Sequence, residues 1–221
     1  PKANDLGLYI LGGKGKYGWS VPGQVRRISD KHNLNGDDLA KSSQLTSRVD
    51  NNAVQDGYNL YQQYFIVTDE GEWTSITQGM NKNTRRARRY HWHSPTVKSF
   101  VESPHTGIVG EKGQPVLNLT DSKADMLRTN MVGLTKEKPS EVLGHYKDIV
   151  MPNRHDVREQ DVNMTRLGSV LNMAYNSDIE NFEDLVMMKG VGPRTLKSLA
   201  MVSEVVHGDA SRFEDPARFS F

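Results

Sequence analysis

The 221-residue chain contains no cysteine, and this excludes disulfides, thiolate zinc sites and cysteine nucleophiles. It also lacks any apolar run near the roughly 20 residues that a membrane-spanning helix needs, and no secretory signal pattern is present. We therefore expect a cytoplasmic protein with no membrane partner. Neither sign of charge dominates, because 28 Lys and Arg residues stand against 27 Asp and Glu residues. A nucleic-acid-binding function would have to depend on local clusters of cations.

The apolar periodicity predicts an α+β fold that is mainly helical, with one small antiparallel sheet in the N-terminal half. Helices are expected over residues 21–32 and then toward Asn51, with a break at Asn35-Gly36. Aromatic and β-branched residues at 58–67 and 73–77, separated by a turn, predict a β-hairpin. The glycine-rich segment before the first helix is expected to be a loop.

Two domains are predicted, with the boundary near residue 120. Residues 1–120 would form an α+β domain that contains the β-hairpin and a short basic helix around residues 85–90. Residues 121–221 would form a helical domain. Its helices are expected near 122–131, 135–146, 157–175, 179–188 and 193–207.

The segment 182–200 has the pattern of a helix-hairpin-helix, which we place within residues 178–207. Gly190 and Gly192 would permit a tight turn that β-carbons obstruct, and Val191 between them would fill the core that the two helices share. Pro193 is suited to the first position of the second helix, where a missing N–H costs little. Apolar residues then return at helical spacing, from Leu196 onward.

The start of that second helix is suited to an anion, because its backbone N–H groups point outward and the helix dipole is positive there. Phosphate contacts position a protein on DNA without reading its sequence. We therefore expect DNA-backbone contacts from the turn and the first helical turn after it. The predicted residues are Lys189, Gly190, Val191, Gly192, Arg194, Thr195 and Lys197. The alternative is an ordinary pair of helices with a glycine turn that serves only protein contacts.

A second cationic segment precedes three aromatic or imidazole side chains. Arginines at 85, 86, 88 and 89 are followed by Tyr90, His91 and Trp92, which are capable of stacking on bases. We predict Arg85, Arg88 and Arg89 as further nucleic-acid contacts. The alternative is a solvated helix in which some of the arginines form ion pairs.

Histidines and carboxylates suggest a divalent metal site. His91 and His93 would lie on the same side of an extended segment and so could share an ion. Asp56, just before the predicted hairpin, is the best-placed carboxylate. The predicted ligands of Mg²⁺ or Mn²⁺ are Asp56, His91, His105, His155 and Asp156, and the predicted catalytic residues are Asp56, His91 and His105. The alternative is that these histidines are structural.

Several short phrases together resemble a known family. They are Val-Gln-Asp-Gly-Tyr at 54–58, Gln-Gly-Met-Asn at 78–81, Ala-Arg-Arg-Tyr-His-Trp at 87–92 and Pro-His-Thr-Gly-Ile at 104–108. The match extends through Met-Pro at 151–152, the hairpin at 189–195 and Asp-Pro-Ala-Arg-Phe-Ser-Phe at 215–221. The chain resembles an uncharacterised bacterial and archaeal family catalogued as domain of unknown function 763. The family pattern does not include histidine at 93, which favours His91 and His105 as ligands.

Three functions fit these observations. The first is a sequence-non-specific DNA-processing hydrolase, a metal-dependent nuclease of repair or recombination. The second is a non-catalytic DNA-binding adaptor. The third is a base-excision glycosylase, for which Asp209, Asp215 and Lys189 are the candidate catalytic residues. The sequence does not indicate an oligomeric state.

Overall fold

The computed structural model describes residues 2–112, 115–148 and 164–218. The strands are β1 (Leu8–Lys14), β2 (Val54–Gln55), β3 (Asn59–Thr68), β4 (Trp73–Met80), β5 (Ala87–His93), β6 (Gly107–Val109) and β7 (Leu117–Asn118). The helices are α1 (Lys16–Trp19), α2 (Val21–His32), α3 (Gly36–Asn52), α4 (Asp125–Thr135), α5 (Pro139–Asp148), α6 (Met164–Tyr175), α7 (Phe182–Met187) and α8 (Pro193–His207). The predicted α+β class, with an antiparallel sheet in the N-terminal half and helices after it, is confirmed.

The main sheet has five antiparallel strands in the order β1-β3-β4-β5-β6, and β2 pairs with β7 separately. The predicted hairpin is confirmed as β3 and β4. The expectation of a glycine-rich loop was wrong, because residues 8–14 form an edge strand on β3. Gly12 has φ +94°, and a β-carbon there would clash with the carbonyl oxygen of Gln63. Glycine is thus what allows β1 to lie so close to its neighbour.

The predicted basic helix was also wrong. Residues 87–93 form strand β5, and its side chains alternate between the two faces of the sheet. Arg88, Tyr90 and Trp92 are buried on the inner face, whereas Arg89 lies on the outer face. A buried arginine broke the expected apolar alternation, so the strand pattern was not visible in the sequence.

Helices α2 and α3 have the predicted positions. Asn35 caps α3, since its side chain accepts a hydrogen bond from the Asp38 N–H at 3.2 Å. Buried side chains of both helices, including Val25 and Val49, belong to the same core as Phe65 and Trp92 of the sheet. These two helices therefore cover the inner face of the sheet.

The helical C-terminal part agrees with prediction in the described residues, although the first helix begins later than expected. The predicted helix over 157–175 is described only from Met164 onward, and its earlier residues lie outside the described ranges. One buried apolar cluster includes Phe65 and Val49 together with Leu127 and Leu196. This core contains residues from both sides of position 120. The division into two domains stays a prediction. None of the described helices is long and apolar enough to cross a membrane.

Candidate nucleic-acid interface

Two of the predicted helices, α7 and α8, are joined by a turn of five residues. Asn181 caps α7 by accepting a hydrogen bond from the Asp184 N–H at 3.0 Å. The Val191 N–H donates to the Met188 carbonyl oxygen at 3.2 Å and closes the turn. Pro193 stands in the first turn of α8, as predicted, and Val191 is buried beneath the turn.

The two glycines of the turn have different roles. Gly190 has φ +91°, a left-handed conformation that favours glycine. Gly192 has φ −139°, which any residue adopts, and nothing lies within 4 Å of the position that a β-carbon would take. The expectation that the turn needs both glycines is therefore correct only for Gly190. At Gly192, the missing side chain leaves open space directly before the first turn of α8.

The predicted phosphate-contact residues divide into exposed and buried groups. Lys189, Gly190 and Arg194 are exposed, and no side chain caps the start of α8. Thr195 is buried, and Lys197 is half-buried and already engaged with another group. The accessible part of the hairpin is thus the turn itself with two cations beside an uncapped helix start.

Helix α3 and strand β2 anchor the hairpin to the rest of the protein. The Arg48 guanidinium donates to the carbonyl oxygens of Val186 and Met188, at 3.2 and 3.3 Å. The Gln55 side-chain amide donates to the Pro193 carbonyl oxygen at 2.7 Å. A cation at the carboxyl end of α7 also complements the helix dipole. The sequence carried no signal for these contacts, because the donors lie about 140 residues from their acceptors.

Arginines of the second predicted contact segment have three different environments. Arg85 is exposed in the turn before β5, with φ +58°. Arg86 is exposed and pairs with Glu111. Arg89 is exposed on the outer face of the sheet, where its Nε donates to the Gln78 side-chain oxygen at 2.8 Å. Arg85 and Arg89 are therefore accessible to a ligand.

Arg88, by contrast, is not at the surface. Its side chain is 1% exposed and forms a two-pronged ion pair with Asp215, at 2.8 and 2.9 Å, and a further pair with Asp56 at 3.0 Å. It also donates to the Glu111 carbonyl oxygen at 2.6 Å. The predicted contact between Arg88 and phosphate does not fit this placement, because the buried guanidinium is already bound to two carboxylates.

Asp56 is held by protein donors on both oxygens. Besides the Arg88 guanidinium, it accepts a hydrogen bond from the Tyr90 hydroxyl at 2.6 Å and one from the Tyr58 N–H at 3.0 Å. Burial raises the pKa of Asp56, although the Tyr90 hydrogen bond and the Arg88 charge oppose that effect. Burial and the nearby Asp56 carboxylate raise the pKa of Tyr90 well above its ordinary value. We interpret this cluster as structural.

His105 belongs to a second buried polar cluster, centred on Asp50. Its Nε2 lies 2.6 Å from an Asp50 carboxylate oxygen, and the His105 side chain is 6% exposed. The Trp92 indole N–H lies 3.1 Å from both Asp50 oxygens, and the Thr77 hydroxyl donates to Asp50 at 2.6 Å. No local motif in the sequence singles out Asp50. Its role as the buried partner of His105 depends on contacts between separate elements.

The predicted metal ligands are not brought together in the part of the chain that the structure describes. Asp56 is bound to Arg88, and His105 is bound to Asp50. His91 lies on the outer face of β5. Partial burial and the nearby Arg89 charge lower its pKa. Within residues 2–112, 115–148 and 164–218, no group of three or more ligating side chains is positioned to hold a metal. The other two predicted ligands, at positions 155 and 156, lie outside the described residues.

The aspartates considered for a glycosylase are engaged as well. Asp209 accepts hydrogen bonds from the Asn130 side-chain amide at 2.7 Å and the Ser203 hydroxyl at 2.9 Å. Asp215 is the ion-pair partner of Arg88. Lys189 remains exposed on the hairpin turn. Catalysis of either kind, and the Mg²⁺ or Mn²⁺ cofactor, stay predictions.

A cleft of about 460 Å³, which no sequence motif predicted, lies beside Arg48. Its walls are the segment Gly15 to Trp19, one side of α3 and the first half of β3. We call it the carboxamide cleft, because five of its lining residues carry side-chain amides. They are Gln44, Asn51, Asn52, Gln62 and Gln63.

Comparison with known proteins gives a family and no activity. No curated protein and no solved structure matches the chain. A family model described as a protein of unknown function (DUF763) matches residues 1–221. The match spans the whole sequence and agrees with the resemblance seen in its short motifs, so this chain belongs to the DUF763 family.

Proposed function

We propose that this protein binds DNA through the phosphate backbone, independently of base sequence, and that the helix-hairpin-helix is its main contact. The observation that carries the proposal is the start of α8. Exposed Lys189 and Arg194 lie beside a helix end that no side chain caps, and Gly192 leaves space for close approach.

The physical argument is electrostatic. The first N–H groups of a helix have no partner within the helix, and the dipole of the 15-residue α8 places partial positive charge at them. A phosphate at this position would accept hydrogen bonds from the backbone and interact with both cations. Since Arg48 of α3 and Gln55 of β2 hold the hairpin, the site would be rigid before DNA arrives.

Arg85 and Arg89 form a second exposed cationic surface that would extend the contact along DNA. A cytoplasmic location is part of the same proposal. Metal-dependent cleavage in repair or recombination is the first catalytic extension of this function. Incubation of labelled DNA with Mn²⁺, Mg²⁺ or EDTA would test it, and metal-dependent cleavage would separate a nuclease from an adaptor.

Salt-dependent binding to duplex DNA tests the proposal. Each phosphate contact on a duplex contributes about 0.9 to the slope of log affinity against log salt. The double variant Lys189→Gln/Arg194→Gln should therefore reduce that slope by up to about 1.8 and weaken binding to unrelated sequences equally. The matched control is Lys31→Gln/Lys136→Gln, which removes two exposed charges from α2 and the end of α4.

Gly192→Ala gives an independent test, because a β-carbon fits there without touching the protein. The variant should fold normally and bind DNA more weakly, since the new methyl group would occupy the approach to the helix start. If the hairpin double variant bound DNA with the wild-type slope, or lost no more affinity than the control, the hairpin would not be the backbone contact.

A further inference from the structure

The carboxamide cleft has the size of a small-molecule site. Its volume of about 460 Å³ lies within the range of about 300–1,000 Å³ that is common for ligand pockets. A ligand of nucleotide size is within this range. No Asp or Glu is among the described residues that line it, and Arg48 is the charged residue there. The cleft would therefore accept an anionic ligand.

Two of the five side-chain amides are available to a ligand. Gln63 donates to the Ser43 carbonyl oxygen at 2.7 Å, and Asn51 donates to the Asn52 side-chain oxygen at 2.9 Å. Among the described residues, the side chains of Gln44 and Gln62 have no hydrogen-bond partner. A carboxamide presents a donor and an acceptor side by side, and this arrangement matches the hydrogen-bonding edge of a nucleobase.

An unusually exposed tryptophan lines the cleft. Trp19 is 90% exposed, whereas Trp73 and Trp92, the other two tryptophans, are buried. Tyr17 nearby is 58% exposed, and the Lys16 ammonium lies 5.5 Å from the centre of its ring. Exposed aromatic rings next to cations provide a stacking surface for unpaired bases.

Arg48 connects this cleft to the hairpin. Its side chain lines the cleft and also donates to the carbonyl oxygens of Val186 and Met188 at the end of α7. The same residue is therefore in contact with both sites, and helix α3 holds them in a fixed relation. A DNA strand whose backbone lies on the hairpin could place a neighbouring nucleotide at the cleft.

We infer that the carboxamide cleft binds one unpaired nucleotide of a DNA strand, with the base stacked on Trp19 and its edge against Gln44 and Gln62. The inference rests on the proposed function, because the hairpin holds the backbone of that strand. The preferred substrate would be DNA with a single-stranded end, a gap or a displaced base, rather than a blunt duplex.

Binding to paired and partly unpaired DNA tests this inference in the full chain. The two DNAs share one duplex, which is blunt in the first and carries a short single-stranded overhang in the second. Trp19→Leu should weaken binding to the overhang DNA by about tenfold, as expected for the loss of one base–aromatic stack, and leave blunt-duplex binding unchanged. Trp19→Phe, which keeps a ring, should restore most of the affinity. Tryptophan fluorescence provides a second readout, because quenching by DNA would act on exposed Trp19.

The hairpin variant Lys189→Gln/Arg194→Gln separates this inference from the proposed function, because it should weaken both DNAs to the same extent. If it weakened neither DNA while Trp19→Leu still affected the overhang DNA, the proposed hairpin contact would fail. If Trp19→Leu affected both DNAs equally, or neither, the cleft inference would be overturned. Quenching by free deoxyadenosine monophosphate at the same concentration as by overhang DNA would also overturn it, because the occupant would then be a free nucleotide.

Discussion

Substitution of Arg88 by methionine should strongly destabilise the fold. Methionine keeps much of the side-chain volume but removes the cation that lies between Asp56 and Asp215, which are 1% and 8% exposed. Four hydrogen bonds are lost with it, three to these carboxylates and one to the Glu111 carbonyl oxygen. Removing one partner of a buried ion pair costs about 3–5 kcal/mol, because the remaining charge has no compensation.

The loss should depend on pH in a defined direction. In Arg88→Met, the arginine charge that opposes the effect of burial is lost, so the folded-state pKa of Asp56 would lie further above its unfolded value. A carboxyl group with a raised pKa destabilises the fold increasingly as pH rises, because the folded state then has to hold a buried charged carboxylate. The difference in free energy of unfolding between variant and wild type should therefore be larger at neutral pH than at mildly acidic pH.

Urea denaturation followed by tryptophan fluorescence would measure this difference. Arg26→Met is the matched control, because Arg26 pairs with Asp37 at 2.8 Å but both side chains are more than half exposed. An exposed pair contributes about 0–1 kcal/mol. If Arg88→Met cost no more than Arg26→Met, the buried cluster would not be a stabilising element. The folded fraction of Arg88→Met should retain the wild-type salt slope for DNA, since the guanidinium is not at the surface.

Three further predictions concern the hairpin and the buried cluster. Gly190→Ala should lower the free energy of unfolding by about 1–2 kcal/mol in urea denaturation, because φ +91° is unfavourable for alanine. Gly192→Ala should cost less, about 0.7 kcal/mol, which is the difference between glycine and alanine at an N-cap. Equal effects would contradict the different roles of the two glycines. Asn181→Ala should lower the free energy of unfolding by about 1 kcal/mol and speed amide hydrogen exchange in α7, because the helix loses its N-terminal cap. Unchanged exchange rates would show that the cap is dispensable. Tyr90→Phe should lower the free energy of unfolding by about 1–2 kcal/mol at neutral pH, because the hydrogen bond to Asp56 is lost. It should also reduce the loss of stability at alkaline pH, because a raised folded-state pKa of Tyr90 stabilises the fold only below the unfolded value of about 10, and this contribution disappears as pH rises above it. If the stability curves of variant and wild type ran parallel above that pH, the raised pKa would be contradicted.

Elements with local signals were predictable from the sequence. The hairpin of α7 and α8 has a proline at the start of its second helix, a glycine at a left-handed position and a capping asparagine before its first helix. Each of these residues acts on neighbours within a few positions, so its effect is visible in one sequence. The β3–β4 hairpin was predictable for the same reason.

The buried polar clusters could not be predicted, because their partners are distant in sequence. Arg88 is stable inside the sheet because the fold brings Asp56 and Asp215 into contact with it. These two partners lie 32 and 127 positions away in the sequence. From the sequence alone, an arginine among arginines indicated an exposed basic helix. His105 was predicted as a metal ligand for a similar reason, since nothing local identifies Asp50 as its partner.

The carboxamide cleft shows the same limit for a surface site. Its amide side chains come from α3 and β3, which are separate in sequence, and Trp19 comes from a third segment. No short motif brings them together. Their relation follows from the pairing of β1 with β3 and from the packing of α3 against the sheet.

Residues 212–218 bind to earlier parts of the chain, and this has a consequence for the folding of the protein during its synthesis. The Asn118 N–H donates to the Arg212 carbonyl oxygen at 2.8 Å, the Arg218 N–H donates to the Ile108 carbonyl oxygen at 3.1 Å, and Asp215 neutralises Arg88 inside the sheet. A ribosome adds residues in order, so Arg88 emerges long before Asp215 does. During translation the sheet would hold a buried cation with only one of its two carboxylate partners, and the buried ion pair would be complete only when residues 212–218 have left the exit tunnel.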